Sequence, residues 1–316
     1  MDSSSAALTD GRSRKRHSRR CGRTGLVFVG ISILVAAAFF AEESGRRTEA
    51  NVRIDASPRG SRPRVVSFDR RLTKSWSNPN QAVLTKIDDS LWMAERPYYW
   101  NTLDVGGRMA VVKLSDDSLW VHSPVPLDQG LRKELDSIGV VKAIIAPNFE
   151  HTKYAKIWKE TEYPDALLYG CPGLKPREPL CDIDLGDGLP NEWENDLDMC
   201  FLDYEHNPFT KKSFFNEVVF VHKPSETLIT ADLFWNYPEN QTRWRDKSWK
   251  LGMDKVYLPF YTSLMVKNKG LLNERIQEIF KWKWDSILPC HGSYVPEHGR
   301  QQLLRHLWRM PRMPED

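Results

Sequence analysis

Three apolar, strand-like runs in this sequence each lead into residues that can bind a metal ion or carry a proton. Glu150 and His151 follow "AIIAPNF", Asp232 follows "TLITA", and His291 follows "SILPC". Because ligands gather at strand ends in sheets flanked by helices, we expect these side chains to approach one another. Carboxylate and imidazole groups together suit zinc or iron. Each residue also has a structural alternative, such as a turn cap at Asp232 or a backbone hydrogen bond at His291.

The elements that must position these residues can be predicted from apolar periodicity. Alternation and short apolar runs indicate strands, and apolar residues at helical spacing indicate helices. Hairpins, a strand-helix-strand unit and late helices together predict sheets with helices on their outer faces. Strands are predicted over 108–114, 118–123, 140–146, 216–222, 226–232 and 285–292, and helices over 127–139, 152–163 and 271–283, with a further helix near the end. The sequence has neither a GxGxxG fingerprint nor a P-loop. It also has no GxSxG elbow, which disfavours a serine hydrolase.

The order and local context of these motifs resemble the metallo-β-lactamase fold, an αββα sandwich. "TLITADLF" is similar to that fold's "LFTGDLLF", and "LPCHG" is similar to its "PGHG". More closely, the chain resembles domain of unknown function 4336, which is assigned to the same fold. That resemblance covers roughly residues 82–310 and is carried by "SLWVHSPVPL", "IIAPNFEHTKY", "YGCPGLK", "EVVFVHKPSETLITADL" and "ILPCHG". The resemblance implies an α+β, αββα sandwich. The apolar run at residues 25–41 predicts an N-terminal hydrophobic helix before it.

The chain departs from the first metal-binding motif of that fold, HxHxDH. With the last histidine placed on His151, Ala146 and Asn148 stand where the first two histidines belong, and Glu150 replaces aspartate. The resemblance therefore implies that the first metal site has lost two imidazoles. The second site keeps four ligands, Glu150, His151, Asp232 and His291. His206 is a candidate for a further histidine by its position alone.

These residues support two main hypotheses and a weaker third. In the first, one divalent metal ion, zinc or iron or manganese, lowers the pKa of a bound water, and the protein hydrolyses an ester, thioester or phosphoester. Asp232 and His291 are then the predicted catalytic residues. In the second, the domain has lost its metal and serves as a non-catalytic, membrane-tethered ligand-binding or scaffold module. The third is an oxidoreductase-like iron site.

The N-terminal part of the chain predicts a targeting or anchoring role. Residues 1–24 form a basic tail, 25–41 an uncharged apolar run, and 42–80 a polar linker that is predicted to be disordered; the metallo-β-lactamase-like domain then spans 81–316. As a helix, the apolar run would be about 26 Å long, the short end of what crosses a bilayer. Basic residues before it predict a single-pass anchor with a cytosolic N-terminus. The alternative is a cleaved segment that delivers the domain to a plastid or secretory lumen.

Charge and cysteine content narrow the function further. The net charge is +3, but residues 1–24 alone contribute +5, so the remainder is near −2 and gives no argument for nucleic-acid binding. The sequence contains five cysteines and no CxxC pair, which excludes a zinc ribbon. Cys171 and Cys181 flank a Pro-rich loop and could pair, although four buried or idle thiols are the simpler interpretation.

Overall fold

A seven-stranded mixed sheet forms the first layer of the fold. The computed structural model describes residues 76–100, 103–239 and 244–307. Its strands are β1 (Thr85–Asp88), β2 (Leu91–Arg96), β5 (Gly107–Lys113), β6 (Ser118–His122), β7 (Val140–Ala146), β8 (Leu167–Gly170) and β9 (Ile183–Asp184), and a separate short pair, β3 (Tyr99–Trp100) and β4 (Leu103–Asp104), lies between β2 and β5 in the sequence. The strands of the sheet lie in the order β1-β2-β5-β6-β7-β8-β9, with antiparallel pairs up to β6 and parallel pairs from β6 to β9.

Helices connect the parallel strands of this sheet, as parallel pairing requires. Helix α1 (Gln129–Ile138) follows β6, and helix α2 (Lys153–Ile157), extended by a π-helical turn (Trp158–Glu162), follows β7. Asp128 caps α1 by accepting a hydrogen bond from Leu131 N, and Leu131 and Leu135 bury the inner face of the helix. The helices therefore cover one face of the sheet.

A second, four-stranded sheet packs on the other face. Its strands, in order, are β10 (Leu197–Leu202), β11 (Glu217–His222), β12 (Thr227–Asn236) and β13 (Ser286–Gly292), with the last pair parallel. Trp120 of the first sheet meets Phe220 of the second edge to face at 4.9 Å between ring centroids. A guanidinium N–H of Arg108 also donates to the carbonyl of Pro289 at 2.9 Å. One apolar core thus lies between the two sheets.

The outer side of the second sheet carries the later helices. Helix α3 (Trp244–Gly252) continues without interruption through a π-helical turn (Met253–Tyr257), an α-helical turn (Leu258–Phe260) and a second π-helical turn (Tyr261–Met265). We call the whole segment the long helix, 244–265. Pro259 has no N–H to donate, and wider turns of this kind accommodate such an interruption. Helices α4 (Lys269–Lys281) and α5 (Gly299–Leu307) complete the layer.

The structure confirms most of the predicted elements and corrects two placements. The hairpin strands, α1, α2, β7 and α4 lie close to the predicted ranges. Asp232 and His291, however, lie within β12 and β13 rather than after them, because β12 continues to Asn236 and β13 to Gly292. The periodicity gives no prediction of the long helix, since two π-helical turns interrupt its 3.6-residue repeat.

The N-terminal predictions fall outside the described residues. This applies to the basic tail, the apolar run 25–41 with its hydrophobic helix, and most of the linker. Within the described ranges, no helix is long and apolar enough to cross a bilayer. Residues 76–80 pack on the domain, where Trp76 Nε1 donates to the carbonyl of Asp104 at 2.9 Å. Cys171, Cys181, Cys200 and Cys290 are buried free thiols.

Candidate metal centre

His151, Asp232 and His291 come together at one edge of the sandwich. One ligand atom from each lies within 4.8 Å of the others. His151 Nε2 is 3.3 Å from Asp232 Oδ2, and His291 Nε2 is 3.7 Å from Asp232 Oδ1. The three side chains are 13%, 18% and 16% exposed, so they are largely enclosed but still reachable from solvent.

A turn built around Asn148 positions His151. Strand β7 ends at Ala146, and Pro147 and Asn148 follow before α2 begins. The buried Asn148 Oδ1 accepts hydrogen bonds from the backbone N–H groups of Glu150 and His151, each at 3.0 Å. Since the oxygen is committed to these two donors, the amide nitrogen faces the other way and donates to Asp232 Oδ2 at 2.7 Å. Asn148 therefore fixes the turn and the carboxylate together.

A break in strand pairing presents Asp232. Strand β12 pairs with β11 only as far as Ile229, and its register with β13 shifts between Thr230 and Trp235. The buried Glu217 carboxylate fills the gap by accepting from the backbone N–H groups of three successive residues, Ala231, Asp232 and Leu233, at 2.8, 2.8 and 2.9 Å. Glu217 thus replaces the missing ladder bonds that would otherwise leave buried donors unpaired.

Two close backbone contacts hold His291 in place. Its Nδ1 donates to the carbonyl of Gly106 at 2.7 Å. The next residue, Gly292, has φ +88°, and a Cβ atom there would lie 2.3 Å from the backbone of Asn236 on β12. Glycine is therefore required where the two strands approach this closely.

Both imidazoles are oriented for binding an ion through Nε2. The carbonyl of Gly106 can only accept, so Nδ1 of His291 carries the hydrogen and Nε2 of the neutral ring keeps its lone pair. On His151, Nδ1 lies 2.6 Å from Ser123 Oγ. Ser123 follows β6 in a left-handed conformation with φ 50°. Metal-binding histidines commonly have their second nitrogen held in this way.

The electrostatics favour a charged pair and a neutral histidine. Burial alone lowers the pKa of His151, but attraction to Asp232, with a smaller contribution from Cys290, raises it well above its usual value. Burial also lowers the pKa of His291, a shift that Asp232 opposes. Burial raises the pKa of Asp232, but the two histidines and the Asn148 hydrogen bond lower it further than burial raises it. The cluster without metal thus holds one displaceable proton, on His151.

The structure places the remaining predicted residues as follows. Glu150 is partly exposed next to His151 and is not one of the three residues that share the 4.8 Å cluster, so its role as a ligand stays a prediction. The ring of His206 lies elsewhere, with Nδ1 3.0 Å from the carbonyl of Met265. His222 makes a structural hydrogen bond, with Nδ1 2.6 Å from Ser225 Oγ.

Four contributors to the site escaped the sequence analysis in whole or part. Ser123, Glu217 and the carbonyl of Gly106 carry no motif, and no pattern in the sequence indicated that Asn148 reaches Asp232. The contacts of Ser123, Asn148 and Gly106 with the clustered residues join positions 28 to 185 residues apart. Only Ser123 could have been found from a local pattern, because it directly follows an apolar run in the sequence, as the predicted ligands do.

Comparison with known proteins identifies the fold. No protein-family model and no curated protein sequence matches the chain. Among solved structures, the metal-soaked flavodiiron core from Synechocystis is 12% identical, with a TM-score of 0.50 over 72% of this chain and 60% of that one. Metallo-β-lactamases from Hirschia baltica and Pontibacter korlensis are 11% and 13% identical, with TM-scores of 0.49 and 0.46, covering 72% and 71% of this chain and 98% and 95% of theirs.

This chain has a mixed α/β fold that matches the flavodiiron core, a structural neighbour with the metallo-β-lactamase fold. At such low identity the likeness concerns the fold alone. The chain spans about 60% of the flavodiiron chain it matches. The narrower resemblance to domain of unknown function 4336 stays a prediction, because no family model matches.

Proposed function

We propose that this protein is a hydrolase that uses a single divalent metal ion held by His151, Asp232 and His291. The observation that carries the proposal is the orientation of the two imidazoles. Each has its Nδ1 engaged by a second group and turns Nε2 toward the same carboxylate. Catalytic zinc sites commonly combine three such protein ligands with an open position for water or substrate.

The donor set fits zinc, iron or manganese, which accept mixed imidazole and carboxylate ligands. A bound ion would supply a Lewis acid and a water of lowered pKa for the cleavage of an ester, thioester or phosphoester. Asp232 and His291 are the proposed catalytic residues, because Asp232 stands between both imidazoles. Glu150 is the proposed additional ligand, since it precedes His151 at the partly exposed edge of the cluster.

The proposal specifies one ion rather than two, and Asn148 supports this. Its amide nitrogen already donates to Asp232 Oδ2 at 2.7 Å, where it occupies part of that oxygen's bonding capacity. Ala146, two residues earlier, is buried and has no donor atom on its side chain. The positions of the first two histidines of that motif therefore supply one hydrogen-bond donor and no imidazole or carboxylate.

The first test is the metal content of the full chain, purified without a metal-affinity tag. We expect about one equivalent of zinc, iron or manganese, lost in His291→Asn and retained in His298→Asn. His298 is an exposed histidine at the start of α5, so its variant is a matched control. Turnover of an ester, thioester or phosphoester panel should follow the metal. Absence of metal after incubation with each ion would refute the proposal.

A specific observation also favours the non-catalytic alternative. The pair of His151 and Asp232 satisfies itself without an ion, because the raised pKa of His151 keeps the imidazolium opposite the carboxylate. If that pair is the resting state, chelators leave the midpoint of thermal unfolding unchanged and added metal does not raise it. A metal-dependent rise of several degrees, absent in His291→Asn, would exclude this alternative, since a ligand bound only by the folded state stabilises it.

The cellular setting of this activity is proposed from sequence alone. Residues 25–41 are the proposed membrane anchor, with a cytosolic N-terminus, and cleavage in a plastid or secretory route is the alternative. The proposed substrate is a small molecule, and no nucleic acid is involved.

A further inference from the structure

The long helix turns a face that is both apolar and basic toward solvent. Its apolar members are highly exposed, with Trp244 at 70%, Leu264 at 52%, Leu251 at 39% and Val256 at 37%. They recur every five to eight residues along the helix, and exposed lysines stand among them. We call this surface the outer helix face: Trp244, Lys247, Leu251, Lys255, Val256 and Leu264.

The charge on this face has one sign. Lys247 and Lys255 are exposed on it, and Lys267 and Lys269 follow at its C-terminal end. No ion pair within the described part of the chain engages Lys247, Lys255 or Lys267. The segment from 244 to 270 has two carboxylates, and neither faces outward freely: Asp246 is buried, and Asp254 accepts from Lys250 Nζ at 2.8 Å and from Trp235 Nε1 at 3.1 Å.

A neighbouring loop extends the same surface. The loop between β10 and β11 is attached to the end of the long helix, because His206 N donates to the carbonyl of Met265 at 2.9 Å. Phe209 in this loop is 71% exposed, and Lys211 and Lys212 follow it in exposed positions. Aromatic and basic residues therefore continue beyond the helix itself.

We propose that the outer helix face docks on an anionic membrane surface. Helices that lie in the membrane interface combine aliphatic and aromatic residues with lysines in this manner. Anionic lipid headgroups complement the lysines, and the acyl boundary accepts the aliphatic side chains. Nucleic acid would complement the charge but offers little to Leu251, Val256 and Leu264. The proposal does not depend on the metal or on the anchor at 25–41.

The buried side of the same helix links this surface to the candidate metal centre. Tyr257 packs against Trp235 at 5.9 Å between ring centroids, and Trp235 pairs with His291 across β12 and β13. Docking through the outer helix face would thus bring the centre close to the lipid surface, where amphiphilic molecules are concentrated.

The test compares residues 48–316, the unit that carries both sheets, on vesicles of phosphatidylcholine with and without phosphatidylglycerol. The basic tail and the apolar run 25–41 are left out because they would bind vesicles by themselves. The first variant reverses three charges, Lys247→Glu, Lys255→Glu and Lys267→Glu. Its matched control reverses three exposed lysines elsewhere, Lys133, Lys142 and Lys281, and has the same net charge. Each lysine near an anionic surface increases the partition coefficient onto vesicles about fivefold. We therefore expect the partition coefficient of the first variant to fall at least about 100-fold and that of the control to fall much less.

A second readout locates the contact. With brominated acyl chains in the vesicles, bound wild-type protein should lose fluorescence that the Trp244→Phe variant does not, because Trp244 is the exposed tryptophan of the face. Equal binding to neutral vesicles, equal loss in both triple variants, or bound protein with unquenched Trp244 would each overturn the proposal. Binding to an RNA oligomer without binding to vesicles would also overturn it. So would shielding of Trp244 from acrylamide in the absence of vesicles, because another segment or a second copy of the chain would then cover the outer helix face.

Discussion

Replacing Asn148 with aspartate tests the central geometry of the site. The two side chains have nearly the same shape, so Oδ1 can still accept from the N–H groups of Glu150 and His151. The amide that donates to Asp232 Oδ2 at 2.7 Å becomes a second carboxylate oxygen at the same place. The variant therefore exchanges one buried hydrogen bond for a repulsion between like charges and leaves the turn unchanged.

The size of the effect follows from the proton that the pair can share. A hydrogen bond to a charged acceptor contributes about 1.5–3 kcal/mol, and two carboxylates at this distance repel each other more strongly than that. The cost is limited by protonating one of them, which for a carboxyl with a pKa near 4 requires about 4 kcal/mol at pH 7. We expect Asn148→Asp to lower the free energy of unfolding by about 4 kcal/mol at pH 7.

The pH dependence gives the sign independently of the magnitude. The paired carboxyls bind a proton in the folded state that the unfolded chain releases above pH 4, so the stability of the variant rises as the pH falls. At pH 5 the loss should shrink to about 1.4 kcal/mol. Urea unfolding of both proteins in the presence of a chelator at pH 7 and pH 5 measures this difference. Added zinc should then stabilise the variant more than the wild type, because a divalent ion offsets the repulsion.

Asn268→Asp is the matched control. Asn268 caps α4 on the surface, where its side chain accepts from Leu271 N, and aspartate is an equally good cap. We expect a change within about 0.5 kcal/mol there, typical of a surface substitution. If Asn148→Asp is no less stable than this control at pH 7, the contact between Asn148 and Asp232 does not exist as described, and the argument for a single ion loses its support.

Three further changes test other parts of the site and the core. Ser123→Ala removes the hydroxyl that holds Nδ1 of His151, so it should weaken metal affinity 10- to 100-fold in a metal titration. The metal-free variant should keep the unfolding midpoint of the wild type. Lost turnover with unchanged metal affinity would identify Ser123 as a reacting group instead. Burial lowers the pKa of His222 to about 4. As the pH falls from 6.5 to 4, the free energy of unfolding of the wild type should therefore decrease by about 3 kcal/mol relative to that of His222→Gln, measured by urea unfolding of both proteins. The same pH dependence in both proteins would contradict this. Gly292→Ala should prevent accumulation of folded protein, because its Cβ would lie 2.3 Å from backbone atoms. Gly188→Ala, at φ +109° with no atom within 4 Å of the added Cβ, should lower the free energy of unfolding by only about 1–3 kcal/mol. Equal effects of the two variants would show that close packing at Gly292 is not the cause.

The sequence by itself determined six strands of the two sheets and indicated candidate residues near the ends of three of them. The six strands are β5, β6, β7, β11, β12 and β13. The apolar runs of β5, β6, β7 and β13 depend on contacts with the core that each residue makes independently. A local pattern is therefore enough to reveal them. Placing His151, Asp232 and His291 in one cluster followed from the tendency of strand ends to gather at one edge, helped by the resemblance to a known fold.

Only the tertiary structure decided how these residues are held. The Gly106 carbonyl that orients His291 is 185 residues away from it, and Asn148 reaches Asp232 across 84 residues. Such contacts depend on strand register and on the packing of one sheet against the other, which no short window of sequence encodes. The long helix was hidden for a related reason, since its π-helical turns are stabilised by packing on the second sheet rather than by a regular apolar repeat. Local chemistry thus indicated the clustered residues, and long-range packing set their orientation.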